Sequence, residues 1–197
     1  MTQCLNLIMG ARNGAKTDRD PNDFYSTFPD SVKRFLEQYK KDGESLNLLV
    51  LEPCAGNGHI SKVLEENGHI VQSWDIVQRD YQLDRVCDFL KTTNGGYMDI
   101  VTNPPFKLAK EFIEHGLELV DNGCRVIMFL KVQFLEGLKR YESLYSKGYL
   151  RFVYVHVNRQ PSALNGRFDI YNARTQCYCW FVFEKGYQGP STLRWIP

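Results

Sequence analysis

The sequence predicts an α/β protein whose sheet is mostly parallel and doubly wound, with an antiparallel edge strand. Three observations predict this fold. Apolar runs of strand length alternate with segments of helical period, a glycine turn follows the first such run, and no helix separates the last two. The chain has 197 residues, 43% apolar and 24% charged, which suits one globular domain with a full core.

The elements are predicted in order from apolar spacing and from the positions of glycine and proline. A helix begins at Asp30, and a buried strand over 47–52 runs into a glycine turn. The following elements are helix 60–67, strand 69–76, a short strand near 85–87, strand 97–102, helix 107–120, strand 124–131, helix 134–148, and strands 151–158 and 175–185. We expect the last two strands to be antiparallel neighbours at one edge of the sheet.

This order divides the single domain, residues 1–197, into four segments. Residues 1–46 form an N-terminal segment and helix, and residues 47–157 form the core. Residues 158–174 form a polar loop that is long for a compact domain, which favours a functional loop over a plain surface loop. Residues 175–197 form the final strand and a tail.

The composition predicts a soluble intracellular protein without a metal centre. The six cysteines form no C-x-x-C pair and have no histidine partner at zinc spacing, so we expect reduced thiols. Residues 1–16 lack the basic start and sustained apolar core of a signal peptide, and no apolar run is long enough to span a membrane. The expected location is therefore the cytoplasm.

The charge is distributed unevenly along the chain, although the net charge is only +1. Residues 1–123 carry 13 Lys and Arg against 19 Asp and Glu, whereas residues 124–197 carry 11 against 4. A basic C-terminal part suits a polyanionic partner such as a nucleic acid. A lysine-rich solvated surface is the alternative that charge alone leaves open.

Acidic residues surround the glycine turn that follows the first strand. Gly56 and Gly58 let the backbone approach a ligand at a helix N-terminus, and Asp75 ends the next strand, where a carboxylate can hold both ribose hydroxyls of a nucleoside. Ser61 stands where a dinucleotide fingerprint has its third glycine, and Glu52 would repel a pyrophosphate. The pattern therefore favours a nucleoside cofactor that carries positive charge.

The segment Asn103-Pro104-Pro105-Phe106 is a stiff junction between a predicted strand and a predicted helix. It could be a helix start with Asn103 as the N-cap, since proline is tolerated in the first turn. Alternatively, the prolines hold the Asn103 side chain and the Pro104 carbonyl outward at the carboxyl end of a strand. Ligands bind at this edge of an open α/β sheet.

Five segments together resemble a known family. In this order and spacing, DFYSTFP, LEPCAGNGHIS, WDI, DFL and NPPF resemble the S-adenosylmethionine-dependent amino-methyltransferases, and most closely the DNA adenine-N6 group in its small phage and prophage form. FLKVQFLEG and CYCWFVFEKGYQGPSTLRWIP also look like this group, so the resemblance covers almost the whole chain. It implies a Rossmann-like methyltransferase fold, S-adenosylmethionine as cofactor and DNA as partner, in the cytoplasm of a bacterial host.

The resemblance also implies roles for individual residues. Asn103 Oδ1 and the Pro104 carbonyl would accept hydrogen bonds from the exocyclic amine, with Pro105 stiffening the turn and Phe106 stacking on a base that is flipped out or single-stranded. The implied cofactor contacts are Asp23, Phe24, Tyr25, Thr27, Glu52, Pro53, Cys54, Gly56, Gly58, Asp75, Ile76, Asp88, Phe89 and Asn103.

The long polar loop supplies candidate contacts to the target, because arginines and aromatic rings suit phosphate contact and base stacking. With Phe106, the predicted substrate residues are Arg159, Arg167, Phe168, Tyr171 and Arg174. No stretch is long enough for a separate target-recognition region. We therefore expect a short or relaxed DNA motif.

Other functions stay open at this point. The same two acceptors suit amines of RNA bases and protein glutamine amides, and the fold could also serve a nucleotide-dependent oxidoreductase or a non-catalytic binding module. We interpret Cys54 as a packing residue because it lies inside the predicted cofactor loop. We interpret His59 and His115, each on a predicted helix, as surface or packing residues. The sequence does not indicate an oligomeric state.

Overall fold

The structure is a computed structural model that describes residues 25–93, 95–96, 98–164 and 176–197. Within these residues the chain forms ten strands and four α-helices. The strands β1 to β10 are Tyr25–Thr27, Leu49–Glu52, Ile70–Asp75, Arg85–Val86, Asp99–Thr102, Arg125–Lys131, Leu150–His156, Ser162–Leu164, Tyr178–Glu184 and Thr192–Ile196. The helices α1 to α4 are Pro29–Lys41, His59–Glu66, Ala109–Leu119 and Leu138–Ser143.

Eight strands form one sheet in the order β10-β7-β9-β6-β5-β2-β3-β4, and β1 pairs with β8 outside it. In the large sheet, β9 is antiparallel to both β6 and β7, and the other pairings are parallel. The predicted fold class, a mostly parallel α/β sheet with antiparallel pairing near one edge, is confirmed. The predicted antiparallel pairing of the last two strands is also confirmed as β7 with β9.

The order of the strands reverses direction at β2. The chain runs from β2 through β3 to β4 on one side and then continues with β5 on the other side of β2. Glu52 is the last residue of β2, and Asn103 directly follows β5. In open α/β sheets, ligands bind in the crevice at the carboxyl ends of the strands where the order reverses. The topology therefore places Glu52 and Asn103 on opposite sides of such a crevice.

Helices cover both faces of the sheet, as a doubly wound sheet requires. On one face, α1 and α2 bury an apolar stripe that packs with Trp180 of β9, and Phe35 of α1 stacks on Trp180 with ring centroids 4.8 Å apart. On the other face, α3 buries Phe112, Ile113 and Leu117. Burying one large apolar side chain contributes about 1.5–3 kcal/mol, so these two faces stabilise the sheet on which the crevice is built.

A buried carboxylate joins several strands at the edge opposite the crevice. Asp99, at the start of β5, accepts hydrogen bonds from the backbone N–H groups of Asn47 and Arg125, each at 2.7 Å. The Arg125 side chain also contacts Glu44 and Glu184. This network fixes the starts of β2, β5 and β6 relative to one another.

Two features differ from the sequence prediction. The tail contains a strand that was not predicted: Thr192–Ile196 forms β10, which pairs in parallel with β7 at the outer edge of the sheet. The single helix predicted over 134–148 is wrong. Gly137 has a φ of 119°, which is incompatible with a right-handed helix, so the segment divides into a 3-10 turn at Val132–Leu135, the short α4, and a 3-10 turn at Tyr145–Lys147. No helix in the described ranges is long and apolar enough to cross a membrane.

Candidate active site

A cavity of about 370 Å³ lies in the crevice between the carboxyl ends of β2 and β5. Its size falls within the range of small-molecule sites. Ten of the residues predicted from the sequence line it: Thr27, Glu52, Pro53, Cys54, Asp75, Ile76, Asp88, Phe89, Asn103 and Pro105. Residues that are far apart in the chain, from β1 to the turn after β5, therefore meet around one space.

The carboxylate of Asp75 is fixed by the backbone around the glycine turn. Its Oδ2 accepts a hydrogen bond from Gly56 N–H at 2.8 Å, and its Oδ1 accepts one from Val77 N–H at 3.1 Å. Asp75 is buried, yet it lines the cavity. A carboxylate oxygen has room for more than one hydrogen bond, so Asp75 can bind the N–H groups and still accept hydroxyl groups of a ligand.

Gly56 and Gly58 shape the turn without lining the cavity. Both have positive φ, 56° and 72°. At Gly58 a Cβ atom would lie 2.4 Å from the ring of Tyr81, which packs directly against this turn. Glycine is therefore required at position 58 both by the backbone conformation and by the close approach of the ring.

Gly58→Ala is expected to destabilise the protein by about 1 kcal/mol more than Gly43→Ala, because both glycines have positive φ but only Gly58 has Tyr81 within contact. Gly43 has open space around a Cβ atom and is the matched control. Urea unfolding measures both variants. If both variants lost the same free energy of unfolding, the Tyr81 ring would move away from the new side chain without an energetic cost.

Glu52 is fully buried at the end of β2, and Ser61 Oγ donates a hydrogen bond to its Oε2. Burial raises the pKa of Glu52 well above its ordinary value of 4.5, and the Ser61 hydrogen bonds only partly oppose this effect. Asp75 and Glu65 raise the pKa further. The cavity thus holds a carboxyl group whose ionisation is disfavoured by burial and would be favoured by positive charge placed next to it.

Glu52→Gln is expected to change how stability depends on pH. The pKa of Glu52 is raised in the folded state, so its contribution is fully present below the ordinary pKa and is lost as the pH rises through the raised value. Relative to Glu52→Gln, the wild type should lose about 1.4 kcal/mol per pH unit across this window. Urea unfolding of both proteins between about pH 4.5 and about pH 8 measures the difference. If the free energies of unfolding of the two proteins changed in parallel with pH, Glu52 would not be a buried carboxyl group with a raised pKa.

The Asn-Pro-Pro-Phe segment forms one wall of the cavity. Asn103 and Pro105 line it, whereas Pro104 and Phe106 do not. The Phe106 ring stacks on Tyr178 of β9, with centroids 6.0 Å apart and planes at 29°, and Lys131 Nζ lies 5.0 Å from the Phe106 centroid. The half-exposed Phe106 is therefore held from behind by a second aromatic ring, beside the turn that presents Asn103.

The first residues of the described chain bring two hydroxyl groups to the cavity. Ser26 and Thr27 are almost fully buried, and their side-chain oxygens have no hydrogen-bond partner within the ranges that the structure describes. Burying a hydroxyl group without a partner costs free energy, so such groups indicate a place where a ligand supplies the hydrogen bonds. Ser26 was not predicted from the sequence. Its position depends on the pairing of β1 with β8, which no local pattern indicates.

Several further residues that line the cavity were not predicted from the sequence. They are Ala55, His59, Ile60, Arg79, Cys87, Leu90, Lys107, Leu108 and Phe112. His59 is the clearest omission: it is the first residue of α2, directly after the glycine turn, and this position could have indicated it. The pKa of His59 is lowered, first by burial and then by Lys62, so the neutral imidazole is favoured.

Cys54 lines the cavity, whereas His115 does not. Burial, followed by the charge of Asp75, raises the pKa of the Cys54 thiol, which keeps it protonated and a poor nucleophile. His115 packs edge-on against Phe89, with centroids 4.9 Å apart, and lies away from the cavity lining. In the part of the chain that the structure covers, no group of three His, Cys, Asp or Glu side chains could hold a metal ion.

One predicted residue, Arg159, is not brought to the cavity. Arg159 lies with Asp30 and Arg34 at a separate surface depression. Tyr25 is described by its backbone in β1 only. The remaining predicted contacts lie outside the described residues: Asp23, Phe24, Arg167, Phe168, Tyr171 and Arg174.

No protein-family model and no curated protein sequence matches the chain. Solved structures do match. A candidate class I S-adenosylmethionine-dependent methyltransferase from Listeria monocytogenes has 12% identity and a TM-score of 0.57, with 97% of this chain and 69% of that one covered. A candidate RNA methyltransferase from Pyrococcus horikoshii has 14% identity and a TM-score of 0.58, with 85% and 91% covered.

A third match is the modification subunit of a candidate type I restriction enzyme from Vibrio vulnificus. It has 15% identity and a TM-score of 0.58, with 88% of this chain and 47% of that one covered. At such identities the similarities show the fold. The chain has the α/β Rossmann-like fold of these methyltransferases.

Proposed function

We propose that this protein transfers a methyl group from S-adenosylmethionine to the exocyclic N6 amine of adenine in DNA. The observation that carries the proposal is the meeting of Asn103 with Glu52 and Asp75 around one cavity. Two of these side chains suit a cationic nucleoside cofactor, and the third suits a planar amine. A nucleotide-dependent oxidoreductase would have no use for the acceptor pair of Asn103 and Pro104.

The residues of the cavity fit the proposed cofactor. The fixed carboxylate of Asp75 can accept both ribose hydroxyls, and Glu52 can pair with positive charge. Ser26 and Thr27 have buried oxygens that need hydrogen-bond partners, which an amino-acid group can supply. When bound, the cofactor supplies an electrophilic methyl group on a sulfonium.

The Asn-Pro-Pro-Phe turn would hold the target amine. The lone pair of an exocyclic adenine amine is delocalised into the ring, so the nitrogen is a poor nucleophile. Asn103 Oδ1 and the Pro104 carbonyl would accept its two N–H groups and orient the lone pair, and Phe106 would stack on the base, a contact worth about 1–3 kcal/mol. Tyr178 behind Phe106 keeps this ring in place.

The choice of DNA rests on the resemblance of the motifs and on charge. Residues 124–197 are basic, and Lys131 contacts Phe106 at the proposed base site. A target base inside a duplex must be flipped out to reach such a pocket, and unstacking costs a few kcal/mol. The similar fold of a restriction modification subunit agrees with this substrate, whereas the similar fold of a candidate RNA methyltransferase keeps RNA as the second candidate.

The test uses purified protein and tritiated S-adenosylmethionine with separate pools of unmethylated DNA, total RNA and protein extract. We expect label in DNA that digests to N6-methyl-2′-deoxyadenosine. Label in RNA or in protein glutamine would keep the chemistry and change the substrate. Binding of NADH without binding of S-adenosylmethionine would overturn the proposal in favour of an oxidoreductase.

The expected target motif is short or relaxed. Methylated plasmid DNA, mapped by fragment analysis, should show modification at many sites of one short motif or at adenines in general. Modification confined to one long motif would contradict this part of the proposal.

A further inference from the structure

A chain of hydroxyl groups leads from Glu52, inside the cavity, to the exposed surface of α2. Ser61 Oγ donates to Glu52 Oε2 and lies 2.7 Å from Ser73 Oγ. Ser73 Oγ lies 3.2 Å from the Tyr81 hydroxyl, which donates to Glu65 Oε1 at 3.3 Å. Ser61 and Ser73 are buried, whereas Glu65 is exposed. The five side chains therefore connect the interior of the site to solvent through four contacts.

Each intermediate group in this chain can pass a proton. A hydroxyl group has one donor and two acceptor positions, so it can receive a proton from one neighbour and release its own to the next. The backbone maintains the geometry: Gly58 leaves the space that the Tyr81 ring occupies, and a side chain there would collide with the ring. A role in packing alone would not require four aligned hydrogen-bonding groups.

The groups around Glu52 explain why a route for its proton is needed. The charged groups that act on Glu52 from β3 and α2 are Asp75 and Glu65, and both oppose its ionisation. His59, Arg79 and Lys107 also line the cavity, and burial favours the neutral form of His59. A cationic ligand beside Glu52 would favour the carboxylate, so a proton must leave the buried Glu52 when such a ligand binds.

We propose that binding of a cationic ligand next to Glu52 releases the Glu52 proton to solvent through Ser61, Ser73, Tyr81 and Glu65. Ser61 Oγ, which donates to Glu52 in the structure, first turns its hydrogen toward Ser73 and then accepts the Glu52 proton. The Ser61 proton passes to Ser73, the Ser73 proton to the Tyr81 oxygen, and the Tyr81 proton to Glu65, which gives it to water. The hydroxyl groups end with Ser61 donating to the Glu52 carboxylate. Only the identity of the ligand, S-adenosylmethionine, rests on the proposed function.

The first test counts protons at equilibrium. Titration calorimetry of S-adenosylmethionine binding in buffers of different ionisation enthalpy gives the number of protons released for each ligand bound. We expect a release that approaches one proton at pH values between the pKa of Glu52 in the ligand-bound protein and its pKa in the free protein, that falls as the pH rises above this window, and that is lost in Glu52→Gln. The same proton count in the wild type and in Glu52→Gln would overturn the proposal.

The second test follows the route of the proton. Stopped-flow measurements can follow binding by tryptophan fluorescence, to which Trp74 next to Asp75 contributes. An indicator dye in weak buffer follows proton release. Ser73→Ala and Tyr81→Phe should slow the appearance of the proton about tenfold relative to binding, because each removes one hydrogen-bonded step. Tyr141→Phe, an exposed tyrosine of α4, is the matched control and should change neither rate.

The outcomes separate this proposal from the proposed function. If proton release kept pace with binding in both Ser73→Ala and Tyr81→Phe, the proposed route through the hydroxyl groups would be overturned. Binding of S-adenosylmethionine with no Glu52-dependent release would overturn the coupling and leave the methyltransferase proposal intact. Absence of S-adenosylmethionine binding in the wild type would overturn both the proposed cofactor and the coupling to it. Unchanged dissociation constants in Tyr81→Phe would show that this variant folds normally.

Discussion

Asn103→Ala is expected to lower the rate of methyl transfer by about 10²–10³-fold, since losing one positioned hydrogen-bonding group at a reacting centre has this effect. Asn103 presents its side chain to the cavity directly after β5, and the following prolines hold it there. Asn103→Asp keeps an acceptor oxygen and should retain about tenfold more activity than Asn103→Ala. Single-turnover transfer of tritium to DNA, read as N6-methyl-2′-deoxyadenosine, isolates the chemical step.

Asn122→Ala is the matched control for this experiment. Asn122 is an exposed asparagine in the turn before β6, at the opposite edge of the sheet from the cavity. Its replacement should leave the rate unchanged. If Asn103→Ala transferred methyl groups at the wild-type rate, the amine would not be held by Asn103, and the motif would be only a stiff helix start.

The positions at the carboxyl ends of the strands could be predicted because their signals are local. Glu52, Asp75 and Asn103 each follow a short apolar run, and glycine or proline stands at or near the end of that run. Parallel strands then bring these ends to one edge of the sheet, so three separate local patterns predict one shared cavity. The structure places all three around the same space.

The residues that were missed depend on contacts between distant parts of the chain. Ser26 reaches the cavity through β1, which pairs with β8 more than a hundred residues later, and Tyr178 supports Phe106 from across the sheet. Neither arrangement leaves a periodic trace in the sequence. The broken helix had a local signal: Gly137 lies inside the predicted segment, and a helix interior disfavours glycine.

Asp75→Asn is expected to weaken S-adenosylmethionine binding by about 100-fold, because hydrogen bonds to a charged group contribute about 1.5–3 kcal/mol. Both Asp75 oxygens already accept backbone N–H groups, from Gly56 and Val77. An amide at this position must turn its NH₂ group toward one of these donors. The substitution therefore removes an acceptor for the ligand and also loosens the glycine turn.

A cycle with a modified ligand separates these two effects. S-adenosylhomocysteine and its 3′-deoxy analogue would be titrated into the wild type, Asp75→Asn and Asp80→Asn, whose exposed carboxylate in the same loop is the matched control. If Asp75 holds the ribose, removing the ligand hydroxyl and replacing the Asp75 carboxylate should each weaken binding, but the two losses of binding free energy should not be additive. Each change removes the same hydrogen bond. Additive losses would show that Asp75 supports the turn without contacting the ribose, and would leave Glu52 as the acidic residue that selects a cationic cofactor.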